Sequence, residues 1–191
     1  MVENAQQMAT MSVDSLSKDL SLHLTAQAMV IESAATAIAQ DVWDEEEVLT
    51  FLSTLLDKYD GFNSIYYGTG DNIMINASGW KPPSDFDLRN RPWYTKAAIE
   101  KDVVFTEAFL NASKDLLVFT IACPVYNDSG ELTGVVGGDM SIRKIDSLIN
   151  NRSHETEGFS FLIDSRNNIL SHPEITYNPH KHLINIFDYY N

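Results

Sequence analysis

The segment DFDLRNRPWYTKAA, residues 85–98, concentrates residue types that bind small charged molecules. Proline favours extended backbone at the residue before it and suits the first position of a helix, so Arg91 is predicted to cap a helix that begins at Pro92. We expect the backbone N–H groups of Trp93 and Tyr94 to be unpaired in its first turn and to favour an anion. Because the Arg91 guanidinium is a two-pronged carboxylate donor, the segment indicates a carboxylate site.

An opposite charge lies in the segment LTGVVGGDMS, residues 132–141. Strand alternation places Asp139 on the same face as Gly137. Since Gly137 has no side chain, we expect room for a ligand beside Asp139. If this strand faces the predicted helix, the pocket has a cation at one wall and a carboxylate at the other, with Trp93 and Tyr94 able to face an ammonium group. Such a pocket complements a zwitterionic amino acid.

Two arrangements without a ligand use the same residues. Arg91 and Asp139 can form a buried salt bridge with each other, and Trp93 can be an ordinary core residue. Composition and spacing alone leave both alternatives open.

Other chemistry has little support in the sequence. Neither Ser160 nor Ser171 has the glycines of a nucleophile elbow, and Cys123 is followed by proline in an apolar strand. There is no glycine-rich phosphate loop. We therefore predict that the chain is not an enzyme and needs no cofactor.

A metal site is also not predicted. His172, His180 and His182, with Glu174, are the candidate ligands, but the close pair stands in an apparent loop. A solvated segment is the interpretation that we prefer for these residues.

The elements that must position the charged residues begin with a helix. Residues 8–42 contain no proline or glycine, and apolar residues recur at steps of three and four. Such a helix is longer than a small domain needs. Its excess length either packs on the domain's own sheet, or pairs with a second subunit or continues from a membrane span. A second helix is predicted after Asp44, which is a good cap residue.

The periodicity then changes to that of strands. Residues 63–77 predict a hairpin, residues 102–111, 116–127 and 131–142 predict three more strands, and residues 142–150 predict a closing helix. Helices followed by an antiparallel sheet of about five strands form an α+β fold of the PAS-like kind. Residues 158–173 predict a further hairpin that begins a second, smaller module.

Three parts are therefore expected: a signalling or dimerisation helix in residues 1–43, a ligand-binding PAS-like module in residues 44–150, and the incomplete start of a second module in residues 151–191. We expect that the chain was cropped or lacks its tail.

Composition limits the partners. The 191 residues carry a formal net charge of −14, which is the wrong sign for nucleic acid or an anionic membrane surface. The single cysteine excludes an internal disulfide. No apolar run approaches the ~20 residues that a membrane-spanning helix needs.

Residues 85–98, together with the strands that follow up to Ile142, resemble the double Cache (dCache) sensor domains of bacterial and archaeal chemoreceptors, sensor histidine kinases and cyclic-dinucleotide signalling proteins such as diguanylate cyclases. The resemblance covers residues 16 to about 175. It implies an extracytoplasmic domain whose membrane-distal module binds a small ligand. In amino-acid-sensing members, residues matching Arg91 and Trp93 hold the carboxylate, and residues matching Tyr94 and Asp139 hold the amino group.

Two positions depart from the pattern of those members. Where they carry tyrosines, this chain has Phe86 and Phe109. Each lost hydroxyl removes a hydrogen bond of about 0.5 to 1.5 kcal/mol and makes the pocket more apolar. The expected ligand is thus an amino acid, an amine or a short organic acid.

The resemblance also implies a membrane receptor in chemotaxis or a related signalling pathway. Its domain would be periplasmic or extracellular, would reach the membrane through flanking helices outside this chain, and would form a homodimer through the N-terminal helix. A ligand-free structural or dimerisation module and, less in keeping with the residues, a small-molecule enzyme are the alternatives.

Overall fold

The computed structural model describes residues 2–40, 42–111, 116–150, 159–175 and 183–190. The chain divides into two compact units. One contains Gln27–Phe109 and Val118–Ser141, and the other contains Met1–Ala26, Leu110–Leu117 and Ile142–Asn191. Helices and antiparallel strands are combined as predicted for an α+β fold.

Helix α1 spans Val2–Gln40, in agreement with the predicted long helix. In the first unit its buried side chains recur at helical spacing, with Ile31 and Ala34 fully buried and Ala28 and Ile38 nearly so. One stripe of the helix therefore belongs to the core. Among the described residues, no helix is both long and apolar enough to cross a membrane.

Helix α2, Glu45–Lys58, begins with the predicted Asp44 cap. The Asp44 carboxylate accepts hydrogen bonds from the N–H groups of Glu46 and Glu47, and the Glu47 carboxylate accepts one from the Asp44 N–H, each at 2.9 Å. This reciprocal capping box satisfies donors that a helix start leaves unpaired.

The central sheet has the strand order β2-β1-β6-β5-β3, and β4 also pairs with β5. The strands are β1 Ser64–Thr69, β2 Met74–Asn76, β3 Val104–Phe105, β4 Phe109–Leu110, β5 Leu117–Tyr126 and β6 Leu132–Ser141. The hairpin predicted in residues 63–77 is β1 and β2.

Residues 102–111 are two short strands, so the prediction of one strand is wrong there. Thr106 ends the pairing of β3 with β5: its N–H donates to the Thr120 carbonyl, and its hydroxyl accepts from the Thr120 N–H, both at 2.9 Å. Because a side chain takes the place of the next carbonyl, the backbone ladder stops at this point.

The register of β1 with β6 decides which residues share a face. Tyr66 lies opposite Gly137, and Ser64 lies opposite Asp139. We call the face that carries the Tyr66, Gly137 and Asp139 side-chain positions the front face. It is covered by a 3-10 turn at Leu88–Asn90 and by helix α3, Pro92–Glu100.

The opposite face packs on α1. A Cβ atom placed on Gly138 would lie 2.7 Å from Cδ1 of Ile31, so this α1 side chain packs where Gly138 has none. The front face is thus left for α3 and the candidate site.

The other unit contains helix α4, Ile142–Asn150, the antiparallel strands β7 Leu162–Ile163 and β8 Ile169–Ser171, and helix α5 Ile186–Tyr189. The closing helix and the second hairpin therefore stand where they were predicted.

His172 in this unit is buried, so its interpretation as part of a solvated segment is wrong. Its Nε2 lies 2.9 Å from the Tyr190 hydroxyl, and its Nδ1 accepts a hydrogen bond from the Glu174 N–H at 3.1 Å. His180 and His182 lie outside the described residues. Within the described part of the chain, no three metal-ligating side chains cluster.

Candidate ligand-binding site

Arg91 caps α3 with extended backbone, φ −82° and ψ 143°, and Pro92 follows as predicted. The Arg91 carbonyl accepts hydrogen bonds from the N–H groups of both Tyr94 and Thr95 at 3.0 Å. The tight first turn therefore pairs the Tyr94 N–H, and the prediction that it is free for an anion is wrong. The Arg91 side chain remains a candidate donor for a ligand carboxylate.

The Arg91 guanidinium lies over an aromatic ring and not beside an acid. Its Cζ is 5.1 Å from the centre of the Phe86 ring. The neighbouring Asp87 carboxylate is paired with Arg89, at 2.9 Å to Nε and 3.2 Å to Nη2, and this pairing lowers the Asp87 pKa. Among the described residues, no carboxylate forms an ion pair with Arg91.

Asp139 is held by two hydroxyl groups on one oxygen. Its Oδ1 accepts from Tyr66 Oη at 2.8 Å and from Thr120 Oγ1 at 2.7 Å. Burial raises the pKa of Asp139, while the bonds from Thr120 and Tyr66 act in the lowering direction. No donor in the described part of the chain reaches Oδ2, and the side chain is only partly buried. One carboxylate oxygen is thus fixed and the other is available to a ligand donor.

The space beside Asp139 is not empty, contrary to the prediction from Gly137. A Cβ atom on Gly137 would lie 2.8 Å from Cζ of Tyr66, whose ring covers the glycine. The missing side chain makes room for a protein residue from β1, and that residue supplies one of the hydroxyl groups that hold Asp139.

Arg91 and Asp139 do not form a salt bridge, so the direct pairing considered from the sequence is absent between these two described residues. Both charges nevertheless act on Tyr66. Its pKa is raised well above the usual value, first by burial and then by the charge of Asp139, and the charge of Arg91 acts in the opposite direction. By contact, Tyr66 connects Asp139, to which it donates, with Trp93 of the helix that Arg91 caps.

Trp93 and Tyr94 are both buried in the front-face core, with 3% and 6% of their surfaces exposed. The Trp93 ring packs edge-on against Tyr66 at 5.0 Å and covers Gly68, where a Cβ atom would lie 2.8 Å from Cη2. Trp93 is therefore a core residue as well as a candidate wall of the site.

Tyr94 differs from Trp93 in its polar end. Its hydroxyl has no hydrogen-bond partner within the described ranges, and its pKa is raised, chiefly by burial. The ring is buried, but the hydroxyl is not among the fully buried, unpartnered polar atoms of the described residues, so it is open to a polar group of a ligand or to water.

The two phenylalanines are placed differently. Phe86 is partly buried and contacts both Arg91 and the Trp80 ring, the latter edge-on at 5.3 Å. Phe109 lies in β4, and none of the ring contacts in the described residues involves it. The structure thus brings Phe86 to the other candidate residues and gives no such contact for Phe109.

Sequence reasoning missed Tyr66, Thr120 and Trp80. Tyr66 and Thr120 stand opposite the GGD segment in the neighbouring strands, at Gly137 and Asp139 respectively. A pairing of the strand after Phe62 with the GGD strand would have indicated Tyr66. No local signal singles out Trp80.

The chain matches the family model described as Cache domain (dCache_1) over residues 1–191. It is similar to the methyl-accepting chemotaxis protein PctB of Pseudomonas aeruginosa, with 31% identity over 151 residues, 79% of this chain and 24% of that receptor. It is also similar to the methyl-accepting chemotaxis protein PscA of Pseudomonas syringae pv. tomato, with 34% identity over 115 residues, 60% of this chain and 18% of the receptor. The chain thus spans a quarter or less of the length of these receptors.

Solved structures of ligand-binding domains are similar as well. The domain of the Pseudomonas fluorescens chemoreceptor CtaA in complex with L-serine matches with a TM-score of 0.74 and 27% identity, over 84% of this chain and 69% of that one. The PctB domain in complex with L-Arg matches with a TM-score of 0.68 and 31% identity, over 79% and 63% of the two chains. These matches confirm the predicted PAS-like fold with a long N-terminal helix and the prediction of a sensor domain that is not an enzyme. The chain belongs to the dCache_1 family of Cache domains.

Proposed function

We propose that this chain is the extracytoplasmic sensor domain of a transmembrane chemotaxis receptor and that its front-face site binds an amino acid or a related molecule with carboxylate and amino groups. The similarity to chemotaxis proteins and to domains solved with L-serine and L-Arg supports the proposal. Its strongest support within this chain is that Trp93, on the helix that Arg91 caps, packs on Tyr66, which bonds Asp139, while Arg91 and Asp139 are not paired with each other.

Each candidate residue has a distinct role in the proposed site. Arg91 binds the ligand carboxylate, and Oδ2 of Asp139 accepts a hydrogen bond from the ammonium group. The Tyr94 hydroxyl supplies a further polar contact, and Trp93 forms the wall between the charges. Phe86 lines the carboxylate end. Two or three charge-assisted bonds of roughly 1.5 to 3 kcal/mol each contribute about 3 to 9 kcal/mol, so micromolar binding, which needs about 8.2 kcal/mol, also requires apolar contacts between the ligand and the site.

Phe109 stays a candidate lining residue, and the two phenylalanines keep the site more apolar than a pair of tyrosines would. Amines and short organic acids are therefore included with amino acids as ligands. No cofactor or metal has a role in this proposal.

Signal transmission is proposed to use the loop of residues 78–90 and α3. A ligand that touches both α3 and the sheet favours the arrangement in which they are closest. It can shift the equilibrium only by the difference in its affinity for the two arrangements. The closing movement would then be passed to α1, which packs on the back of the same sheet at Ile31.

The assembly of the receptor is also a proposal. Residues 1–43 would serve dimerisation, residues 44–150 would bind the ligand, and residues 151–191 would begin a second module, with membrane helices outside this chain. Met8, Met11, Leu22 and Met29 on α1 are 60–65% exposed, which supports a homodimer contact along the helix. Crosslinking of single cysteines placed in residues 8–24 of the membrane-embedded receptor tests this, and an absence of crosslinks argues against it.

The ligand site is tested by thermal shift and calorimetry with L-amino acids, amines and short organic acids. A ligand at 100 times its dissociation constant stabilises the folded protein by about 2.7 kcal/mol. Arg91→Ala should abolish the shift for acids, whereas Arg143→Ala, the same change at an exposed arginine of α4, should retain it. A panel with no binder contradicts the function, and an equal loss in both variants contradicts the role of Arg91.

A further inference from the structure

The guanidinium of Arg91 lies over an aromatic ring. Its Cζ lies 5.1 Å from the centre of the Phe86 ring, and the Trp80 ring meets Phe86 edge-on at 5.3 Å. A guanidinium prefers to stack flat on a ring face, which restricts the positions that its donors adopt. Phe86 therefore limits where Arg91 can direct its hydrogen bonds.

The backbone at Phe86 and Leu88 is tied to a turn that is distant in the sequence. Asn72 stands in the turn between β1 and β2 with left-handed backbone, φ 67°. Its Nδ2 donates to the Phe86 carbonyl at 3.3 Å, and its Oδ1 accepts from the Leu88 N–H at 2.9 Å. Leu88 itself is 1% exposed. A single side chain thus fixes the short segment that carries Phe86 to the sheet.

The acidic residue of the same segment, Asp87, is bonded by neighbouring side chains. Asp87 receives hydrogen bonds from the Arg89 guanidinium and from Asn90 Nδ2 at 3.1 Å. The carboxylate that lies nearest to Arg91 in this stretch of sequence is therefore engaged by other donors. This leaves the donors of Arg91 for a ligand.

We propose that Phe86 and Asn72 are positioning residues, which hold the Arg91 guanidinium in place for a carboxylate before the ligand arrives. The inference rests on the proposed function for the identity of the ligand group. Phe86 would act through Arg91, and Asn72 would act through Phe86.

The positioning is measured first without a ligand, by NMR relaxation of the arginine Nε–H groups in the whole chain. The Arg91 signal is assigned by its loss in Arg91→Lys, and the signal of the exposed Arg143 in α4 is the internal control. Phe86→Leu and Asn72→Gly should both increase the mobility of Arg91 and leave Arg143 unchanged. Phe86→Tyr, which keeps the ring, should preserve the order of Arg91. Glycine accepts the backbone angle of Asn72, so this variant removes only the side-chain bonds.

The second measurement uses a matched pair of probes: the L-amino acid that gives the largest thermal shift, and the amine that has the same side chain but no carboxylate. Phe86→Leu should weaken binding of the amino acid roughly two- to fivefold, the range of an exposed cation–π contact, and leave the amine unchanged. Phe86→Tyr should restore the affinity for the amino acid.

The outcomes separate the two proposals. If Arg91 is as ordered in Phe86→Leu as in the unmodified chain, or if both probes weaken equally, the positioning role is wrong even though the domain binds amino acids. If no acid binds but the NMR result is as expected, the proposed function fails while the support of Arg91 by Phe86 stands.

Discussion

The ring of Tyr66 occupies the position that a side chain of Gly137 would fill, across the pairing of β1 with β6. The same tyrosine reaches past the glycine and donates to Asp139 at 2.8 Å. One contact thus joins the packing of the front face to the acidic end of the candidate site.

Gly137→Ala should destabilise the fold. The added methyl group would lie 2.8 Å from Cζ of Tyr66, so the ring must move and its bond to Asp139 must break. Overpacking of this kind costs about 1 to 3 kcal/mol in free energy of unfolding, which urea denaturation measures.

Gly70→Ala is the matched control for this change. A Cβ atom there meets only the Thr133 carbonyl, at an ordinary 3.6 Å. Its effect should stay within roughly 0.5 kcal/mol. Equal losses in the two variants would mean that the Tyr66 ring adapts without cost.

Asp139→Asn should stabilise the ligand-free protein near neutral pH. Burial raises the pKa of Asp139 above 3.8 in the folded state. Below pH 3.8 the carboxyl group is protonated in both states and does not penalise folding. As the pH rises from 3.8 to the folded-state pKa, the free-energy penalty for folding with this residue grows. Asparagine keeps the acceptor for Tyr66 and Thr120 without the buried charge.

Urea denaturation as a function of pH measures the difference between Asp139→Asn and the unmodified chain. The gain should shrink as the pH falls towards 3.8. A variant that is less stable near neutral pH would show that the carboxylate is not penalised by its burial. Binding of an amine should be lost in either case.

Tyr66→Phe should move the pH dependence of ligand binding. Binding of an ammonium group needs a charged Asp139, so affinity falls as the pH drops through the pKa of that residue. The bond from Tyr66 acts to lower this pKa, so its removal should shift the midpoint to higher pH. Calorimetric titrations at several pH values measure the midpoint.

Tyr67→Phe serves as the comparison, because this neighbouring tyrosine donates to Thr133 at 3.4 Å and not to Asp139. Its midpoint should match that of the unmodified chain. The same midpoint in all three proteins would show that the bond from Tyr66 does not set the pH dependence of binding.

Asp44→Ala should lower stability by about 0.5 to 2 kcal/mol, because it removes the cap that bonds two N–H groups of α2. Asp57→Ala changes the same residue type in the exposed last turn of that helix, where an acid opposes the helix dipole. That control should lose no stability. Thermal and urea denaturation measure the stability of both variants, and an equal loss in the two would contradict the role of the Asp44 cap.

The helix starts were predictable because their signals are local. Asp44 with Glu47 and Arg91 with Pro92 are neighbouring residues, and both caps are where the sequence placed them. Alternation likewise put Asp139 and Gly137 on one face of β6. Such patterns are carried by a few consecutive residues.

The partners of these residues were not predictable in the same way. Tyr66 meets Gly137, and Thr120 meets Asp139, only through the register of strands that are distant in sequence. No local pattern encodes that register, so the space beside Gly137 was wrongly taken to be free. The break after β3 had the same origin, since it depends on a bond between Thr106 and Thr120.

The tip of a hairpin is usually the part of a sheet that tolerates change best. Here Asn72 bonds the backbone at Phe86 and Leu88, so a change at the tip between β1 and β2 also changes the loop that contains Phe86. In a library of functional variants, position 72 should therefore be as restricted as positions 86–88, while the exposed Asp71 beside it accepts many residues. Substitutions at position 72 would therefore alter the proposed site through the backbone of Phe86 and Leu88 and not through a contact with the ligand.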